Sequence, residues 1–182
     1  MDVTLDPKTA HPQIILSDDQ KSLELGELKQ DLPDSPERFD IEKCVLGCEN
    51  FTSGRHYWEV EVGNITHWRL GVCKDSVRRK EAFQMLSPEE GYWTMQLWDI
   101  GKYSALTVPN IPVFSKERPQ VLGIFLDYEE GKVSFYNVDN ESHLYTFIST
   151  ITGTLRPFFF LSYGVLKIHP VPAWESESQA QV

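Results

Sequence analysis

No run of apolar residues in this chain approaches the roughly twenty needed to cross a bilayer. Cysteine is scarce: Cys44, Cys48 and Cys73 form neither an even disulfide set nor a zinc pattern. Cys44-Val45-Leu46-Gly47-Cys48 has the wrong spacing for a zinc knuckle and no matching second pair. Reduced, partly buried thiols are expected instead. Positive charge is also short, with 17 Lys and Arg against 27 Asp and Glu and a formal net charge of −10. That balance argues against general nucleic-acid binding and against adhesion to an anionic membrane surface. The one basic run, Arg78-Arg79-Lys80, is short and reads as a solvated loop or helix face. Residues Met1 to Pro12 lack the apolar centre of a secretory signal. Three Asn-x-Ser/Thr triplets, at Asn50, Asn64 and Asn140, are of a kind that arises by chance, and a cytosolic location is expected.

Catalytic signatures are missing as well. There is no Gly-x-Ser-x-Gly elbow, no phosphate-cradling P-loop and no His-Glu-x-x-His metal helix. The five histidines, His11, His56, His67, His143 and His169, are scattered with no two at ligand spacing. Asp127 and Glu129 share a strand face, as paired acids of a glycosidase could, but they sit at a strand end where charged side chains face water. No enzyme activity, metal or cofactor is expected.

What the chain has is aromatics, at 12% of residues, and strand after strand. His56-Tyr57-Trp58-Glu59-Val60-Glu61-Val62 alternates strictly, with Trp58, Val60 and Val62 on one face. Similar runs recur at Gln13–Leu16, Ser22–Leu25, Cys44–Leu46, Trp68–Cys73, Tyr92–Trp98, Tyr103–Thr107, Val121–Leu126, Val133–Tyr136, Leu144–Phe147, Pro157–Tyr163 and Leu166–Ile168. Turn residues separate them, and no segment has the period of a long amphipathic helix. An all-β fold follows, an antiparallel β-sandwich of two sheets with few short helical turns. The expected helical turn is Asp75–Lys80, with Asp75 as its N-cap. In Tyr92–Trp98, Trp93, Met95 and Leu97 should be core, leaving Tyr92, Thr94, Gln96 and Trp98 on a partly wet face. Trp98 is then either an exposed anchor or covered by a neighbouring loop.

Leu5-Asp6-Pro7, Trp58-Glu59-Val60-Glu61 and Leu126-Asp127-Tyr128-Glu129 together resemble the three sequence marks of the B30.2 (PRY-SPRY) domain of tripartite-motif ubiquitin ligases and butyrophilins. Further matches include Phe51-Thr52-Ser53-Gly54-Arg55-His56-Tyr57-Trp58, Leu70-Gly71-Val72-Cys73, Gly91-Tyr92-Trp93 and Leu155-Arg156-Pro157-Phe158-Phe159. The resemblance implies a bent, concanavalin-like sandwich. It also implies a binding module rather than an enzyme, any ubiquitin-ligase activity residing in a RING outside these residues. Residues 1–170 are expected to form one domain, about 3–50 being the PRY portion and about 51–170 the SPRY portion. Residues 171–182, with Glu175 and Glu177 among Ser and Gln, are expected to be a flexible acidic tail. Cys44–Cys48 and Gly91-Tyr92-Trp93-Thr94-Met95 look slightly more like butyrophilin cytoplasmic domains, which points to an immune-receptor tail. The alternative is the substrate-recognition domain of a tripartite-motif ligase.

Two binding sites known in the family map onto this sequence without carrying over. Butyrophilins that sense isoprenoid diphosphates use a basic pocket. The matching positions are Glu42, Arg69, Gln84, Ser104, Asn110 and Phe160, of which Arg69 alone is cationic, so diphosphate binding is not expected. The antibody-binding tripartite-motif site matches Gln96, Trp98, Arg69, Tyr163 and Val165, with a charge inverted and one tryptophan kept. The overlap still points to a face. Arg69, Gln96, Trp98, Ser104, Phe160 and Tyr163 are the expected partner-binding residues, rimmed by Phe83–Pro88 and Asp99–Lys102. The plainer reading is that Phe160 is core and Arg69 pairs with a nearby acid. The expected partner is a protein or peptide, with no nucleic acid and no insertion of this domain into a membrane.

Overall fold

The computed structural model describes residues 2–83, 85–99 and 101–170, and the C-terminal segment 171–182 lies outside them. Thirteen strands fall in two antiparallel sheets among these residues. The first sheet holds seven: β1 (Ile14–Leu16), β2 (Ser22–Leu25), β4 (Arg55–Glu61), β9 (Val121–Asp127), β10 (Lys132–Asn137), β11 (Ser142–Ile148) and β13 (Val165–Ile168). Their spatial order is β1-β2-β13-β4-β9-β10-β11. The second sheet runs β3 (Cys44–Leu46), β12 (Leu155–Leu161), β5 (His67–Lys74), β6 (Tyr92–Trp98), β7 (Tyr103–Ala105) and β8 (Ile111–Val113). No helix of the described residues is long and apolar enough to cross a membrane.

The alternation of the strands sets the layers. Trp58 and Val60 of β4, Ile124 and Leu126 of β9 and Phe135 of β10 meet Trp68, Leu70, Val72, Trp93, Met95 and Phe159 of the facing sheet in one buried cluster. β12 is buried along its whole length because its other face is covered too. Phe158 and Phe160 point outward into a second cluster with Phe39, Cys44, Leu46, Cys73, Leu86, Tyr92 and Leu106. That cluster covers one end of the outer face of the six-stranded sheet. Gly71 belongs to this arrangement: a Cβ there would lie 2.1 Å from the Trp93 carbonyl oxygen, so β5 and β6 approach too closely for any side chain.

The first forty-odd residues are stitched into both sheets. β2 pairs with β13, and β3 pairs with β12. Buried Arg156 on β12 makes the link tighter. Its Nε and Nη2 donate to Gly47 O at 3.0 and 2.8 Å, Nη2 to Asp6 Oδ2 at 2.8 Å, and Nη1 to Asp75 Oδ1 at 3.1 Å. Buried Arg38 donates to the carbonyls of Pro33, Pro7 and Ala10.

The structure corrects several local expectations. Asp75–Lys80 is a turn followed by bends, not a helix, because Asp75 spends its carboxylate on Arg79 and Arg156 instead of capping. The one helical segment among the described residues is a 3₁₀ turn at Pro88–Glu90, closed by Gly91 in the left-handed region at φ 92°. The strand Ile111–Val113 was not expected, since Pro112 at its centre reads as a breaker; it is an edge strand, where proline is tolerated. Arg79 is not a solvated charge. It is buried, donating to the carbonyls of Glu37 at 2.7 Å and Asp75 at 2.6 Å and lying 5.3 Å above the Phe39 ring. Thr94 is likewise buried, not wet. Asp127 does not face water: it is buried against Arg55, 3.2 Å away.

Candidate interaction surface

The outer face of the six-stranded sheet carries one continuous cross-strand row. In register across five strand pairs stand Cys44, Phe160, Arg69, Gln96, Ser104 and Pro112. Because cross-strand neighbours on one face lie close together, this register brings Phe160, Arg69 and Gln96 into contact. The Arg69 guanidinium sits 4.7 Å from the Trp98 ring centre and 4.8 Å from that of Phe160. Its Nε donates to Gln96 Oε1 at 3.0 Å. Burial pulls this guanidinium below its ordinary value, with opposing help from Cys44 and Glu42, yet it stays charged.

Open aromatics stand beside the row. Trp98 is 41% exposed and Tyr163 46%, whereas Phe160 is 7% exposed. His67 packs edge-on against Trp98 at 4.9 Å and stands 6.1 Å from Tyr163. Tyr163 is fixed in turn by the Thr66 backbone N–H at 3.1 Å and by a hydrogen bond to the Thr66 hydroxyl. Four of the expected residues, Arg69, Gln96, Trp98 and Phe160, thus touch, Ser104 follows next in the row, and Tyr163 joins through His67. Phe160 is core and platform at once. Arg69 does not pair with an acid: the described arginine ion pairs belong to Arg55, Arg78, Arg79 and Arg156.

Beside this row lies a cavity of about 410 Å³ lined by Arg69 and Gln96, by Phe83, Met85 and Leu86, and by the segment from Leu106 to Asn110. The 83–86 wall is held by Glu42, whose Oε2 accepts the Phe83 N–H at 3.0 Å. Thr107 Oγ1 donates to Pro109 O at 2.6 Å within the other wall, which contains a cis Val108–Pro109 bond. Among the described lining residues Arg69 is the one cation; Gln84 lies outside the described residues. Sequence reading missed the Leu106–Pro109 wall. Its signals were the match of Asn110 to a family pocket position and the turn pair Pro109-Asn110, which says where a chain bends and not what it borders.

The three sequence marks lie elsewhere, and two of them hold the scaffold through their carboxylates. Asp6 pairs with Arg156, Asp127 with Arg55, and both Glu129 carboxylate oxygens accept the Gly54 N–H at 3.0 and 2.9 Å.

A two-sheet antiparallel sandwich presenting an arginine over two rings, with exposed aromatics and an adjoining cavity, has the make-up of a recognition module. The chain belongs to the PRY-SPRY (B30.2) family: the SPRY domain model matches residues 55–169 and the SPRY-associated domain model residues 3–51. Domains of this family mediate protein interaction. E3 ubiquitin-protein ligase TRIM58 of Mus musculus is 52% identical over 161 residues, covering 88% of this chain and 33% of that protein. Erythroid membrane-associated protein of Homo sapiens is 52% identical over 157 residues, covering 86% of this chain and 33% of that protein. Butyrophilin subfamily 2 member A2 of Mus musculus is 52% identical over 175 residues, covering 95% of this chain and 34% of that protein. The chain therefore spans about a third of the length of these relatives. Among solved structures, stonustoxin superposes with a TM-score of 0.81 at 29% identity, covering 92% of this chain and 28% of that one. The TRIM65 PSpry domain matches in fold, with a TM-score of 0.82 at 23% identity over 94% of this chain and 90% of that one.

Proposed function

We propose that this domain is a non-catalytic recognition module that captures a protein or peptide through the outer face of the six-stranded sheet, around Arg69, Gln96, Trp98, Ser104, Phe160 and Tyr163. The observation that carries the reading is the Arg69 guanidinium, set over two rings and tied through Nε to a neutral glutamine, with no ion pair among the described residues. A partially desolvated cation of this kind favours a carboxylate or main-chain carbonyl from a partner. The neighbouring cavity and the exposed edge of Trp98 suit an apolar side chain a few residues away. A diphosphate is disfavoured, since it calls for several converging cations and one lines the cavity. Calorimetry with isoprenoid diphosphates should give no heat.

The test is partner recovery by wild-type and variant domain. Arg69→Ala and Trp98→Ala should each cut affinity by roughly 30-fold, as truncation of a central anchor does. Unchanged recovery by both variants overturns the proposed surface. A family setting of either kind suits this module: the cytosolic part of a butyrophilin-like receptor, which we favour, or the substrate-recognition end of a tripartite-motif ligase whose catalysis lies in a RING elsewhere. Relatives of both kinds stand at 52% identity.

A further inference from the structure

The opposite face of the molecule carries a second cavity, of about 490 Å³, on the outside of the seven-stranded sheet. Gly123 of β9 stands in register between Glu59 of β4 and Tyr136 of β10, and because it has no side chain the Tyr57 ring and Val138 lean over it. Tyr57 and Phe125, paired one step along, and Val138 wall the pit, and Glu141 stands at its rim. The pit is thus bounded by three aromatic rings and two carboxylates, and none of its described lining residues is basic.

Its carboxylates are not idle charges on a solvated face. Glu59 is oriented by Tyr57, whose hydroxyl donates to Oε2 at 2.6 Å. The other Glu59 oxygen, Oε1, lies 3.6 Å from His169 Nδ1, and Glu61 lies 3.5 Å from His169 Nε2. Glu141 comes from the loop joining β10 and β11 and holds φ at 58°, a backbone state that favours glycine or asparagine. Aromatic faces present negative potential, and carboxylates beside them add to it. Such a cage rejects anions and favours a cation with an apolar stem, which rings can cover while acids meet the charge.

We propose that this pit is a second binding site, distinct from the Arg69 face, that takes the lysine or arginine side chain of a basic segment in a partner protein. Charge complementarity selects the occupant: the chain carries a formal net charge of −10, so a second copy approaching this acidic face is repelled and a basic partner is drawn in.

Isotope-labelled domain titrated with acetyl-Gly-Lys-Gly-amide and acetyl-Gly-Arg-Gly-amide, followed by amide chemical shifts, tests the site. Acetyl-Gly-norleucine-Gly-amide is the uncharged control of equal stem length. Saturable shifts at Gly123, Phe125 and Tyr136 are expected for the two cationic peptides and not for the control. Tyr136→Leu and Glu141→Gln should each weaken them by about three- to tenfold. Gly123→Ala should abolish them, because its Cβ would fall 2.6 Å from the Tyr57 hydroxyl and 3.1 Å from Val138 Cγ2 and push the ring into the pit. Glu141 is exposed, so its variant keeps the test valid even where Gly123→Ala folds poorly. Equal shifts with norleucine, no saturation with either cationic peptide, or undiminished binding by Glu141→Gln and Tyr136→Leu overturns the proposal. Arg69→Ala should leave these shifts unchanged, which separates this site from the first.

Discussion

Arg156→Met removes the cation that joins three separate parts of the chain while keeping an unbranched apolar stem. In the native domain that guanidinium satisfies Gly47 O twice and reaches both Asp6 and Asp75. Burial works against its charge, but hydrogen bonds to the two aspartates outweigh this and hold the group above its ordinary value. The substitution strands Gly47 O, a buried acceptor, at about 1–3 kcal/mol. Asp6 loses its cation, Asp75 keeps Arg79 at 3.4 Å, and both keep some water, their side chains being 21% and 49% exposed, so each adds at most about 1 kcal/mol. The sum is about 3 kcal/mol, the lower edge of what breaking a buried pair costs. Against a total stability of roughly 5–15 kcal/mol this is a large loss. In equilibrium urea unfolding followed by tryptophan fluorescence, the midpoint should fall by about 1.5 M at unchanged slope. The transition should stay single, because Asp6, Gly47 and the strands beside them are paired into both sheets. Asp6→Asn should cost about 1 kcal/mol, and much less once Arg156 is gone. A midpoint shift below about 0.3 M, or a first transition confined to the N-terminal strands, would refute the reasoning.

Two further outcomes follow from buried titratable groups. His11 is buried with Nδ1 accepting the Gln13 N–H at 3.0 Å, a role only the neutral ring fills. Burial first, then Lys29 and Lys43, press its pKa below the ordinary 6.5, with Asp40 opposing. The unfolded chain therefore binds the proton more readily, so stability present above about pH 6.5 is lost as pH falls toward the folded value. Urea midpoints at pH 7 and pH 5.5 should differ more for the wild type than for His11→Asn; an equal difference refutes it. For the thiols, burial pushes Cys73 up to about 12 and Cys44 well above its usual range, while Cys48 is exposed. Ellman's reagent should find one fast thiol in the native domain and the other two at the rate of unfolding. Two or three fast thiols would contradict the burial.

Strand positions were legible because alternation reports burial directly: all twelve strand-like runs differ from the observed strands by at most two residues at either end, as for Ser22–Leu25, Cys44–Leu46 and Tyr92–Trp98. The faces of Tyr92–Trp98 were only half legible. Trp93, Met95 and Leu97 are core as the pattern requires, but Tyr92 is buried in a second cluster that the strand's own sequence does not announce, and Thr94 is buried as well. The same cause hid the role of Arg79 and Asp127, each of which is buried against a partner far away in sequence. The residues around Arg69 were placed on one face through family resemblance rather than periodicity. The cavity wall at Leu106–Pro109 stayed invisible, since a loop's sequence encodes its turn and not what it faces.

The outer face of the six-stranded sheet is divided between two duties by the same loops. Toward Tyr92 it is sealed by Phe39, Leu86 and Phe83, which pack on Phe158. Toward Trp98 it is uncovered, and the sealing loop at 83–86 becomes the wall of the cavity beside Arg69. That loop is anchored at Phe83 through a backbone N–H held by Glu42, and by Phe83 and Leu86 inside the apolar cluster. Met85, between the anchors, is exposed and faces the cavity. Met85 lies outside the apolar clusters, so it is free to change without cost to the core. Stability therefore rests on Glu42, Phe83 and Leu86. On the proposed reading of this face, partner choice is set at Met85, Trp98 and the Thr107–Asn110 segment, which lie outside the buried cluster and can change while its anchors stay fixed.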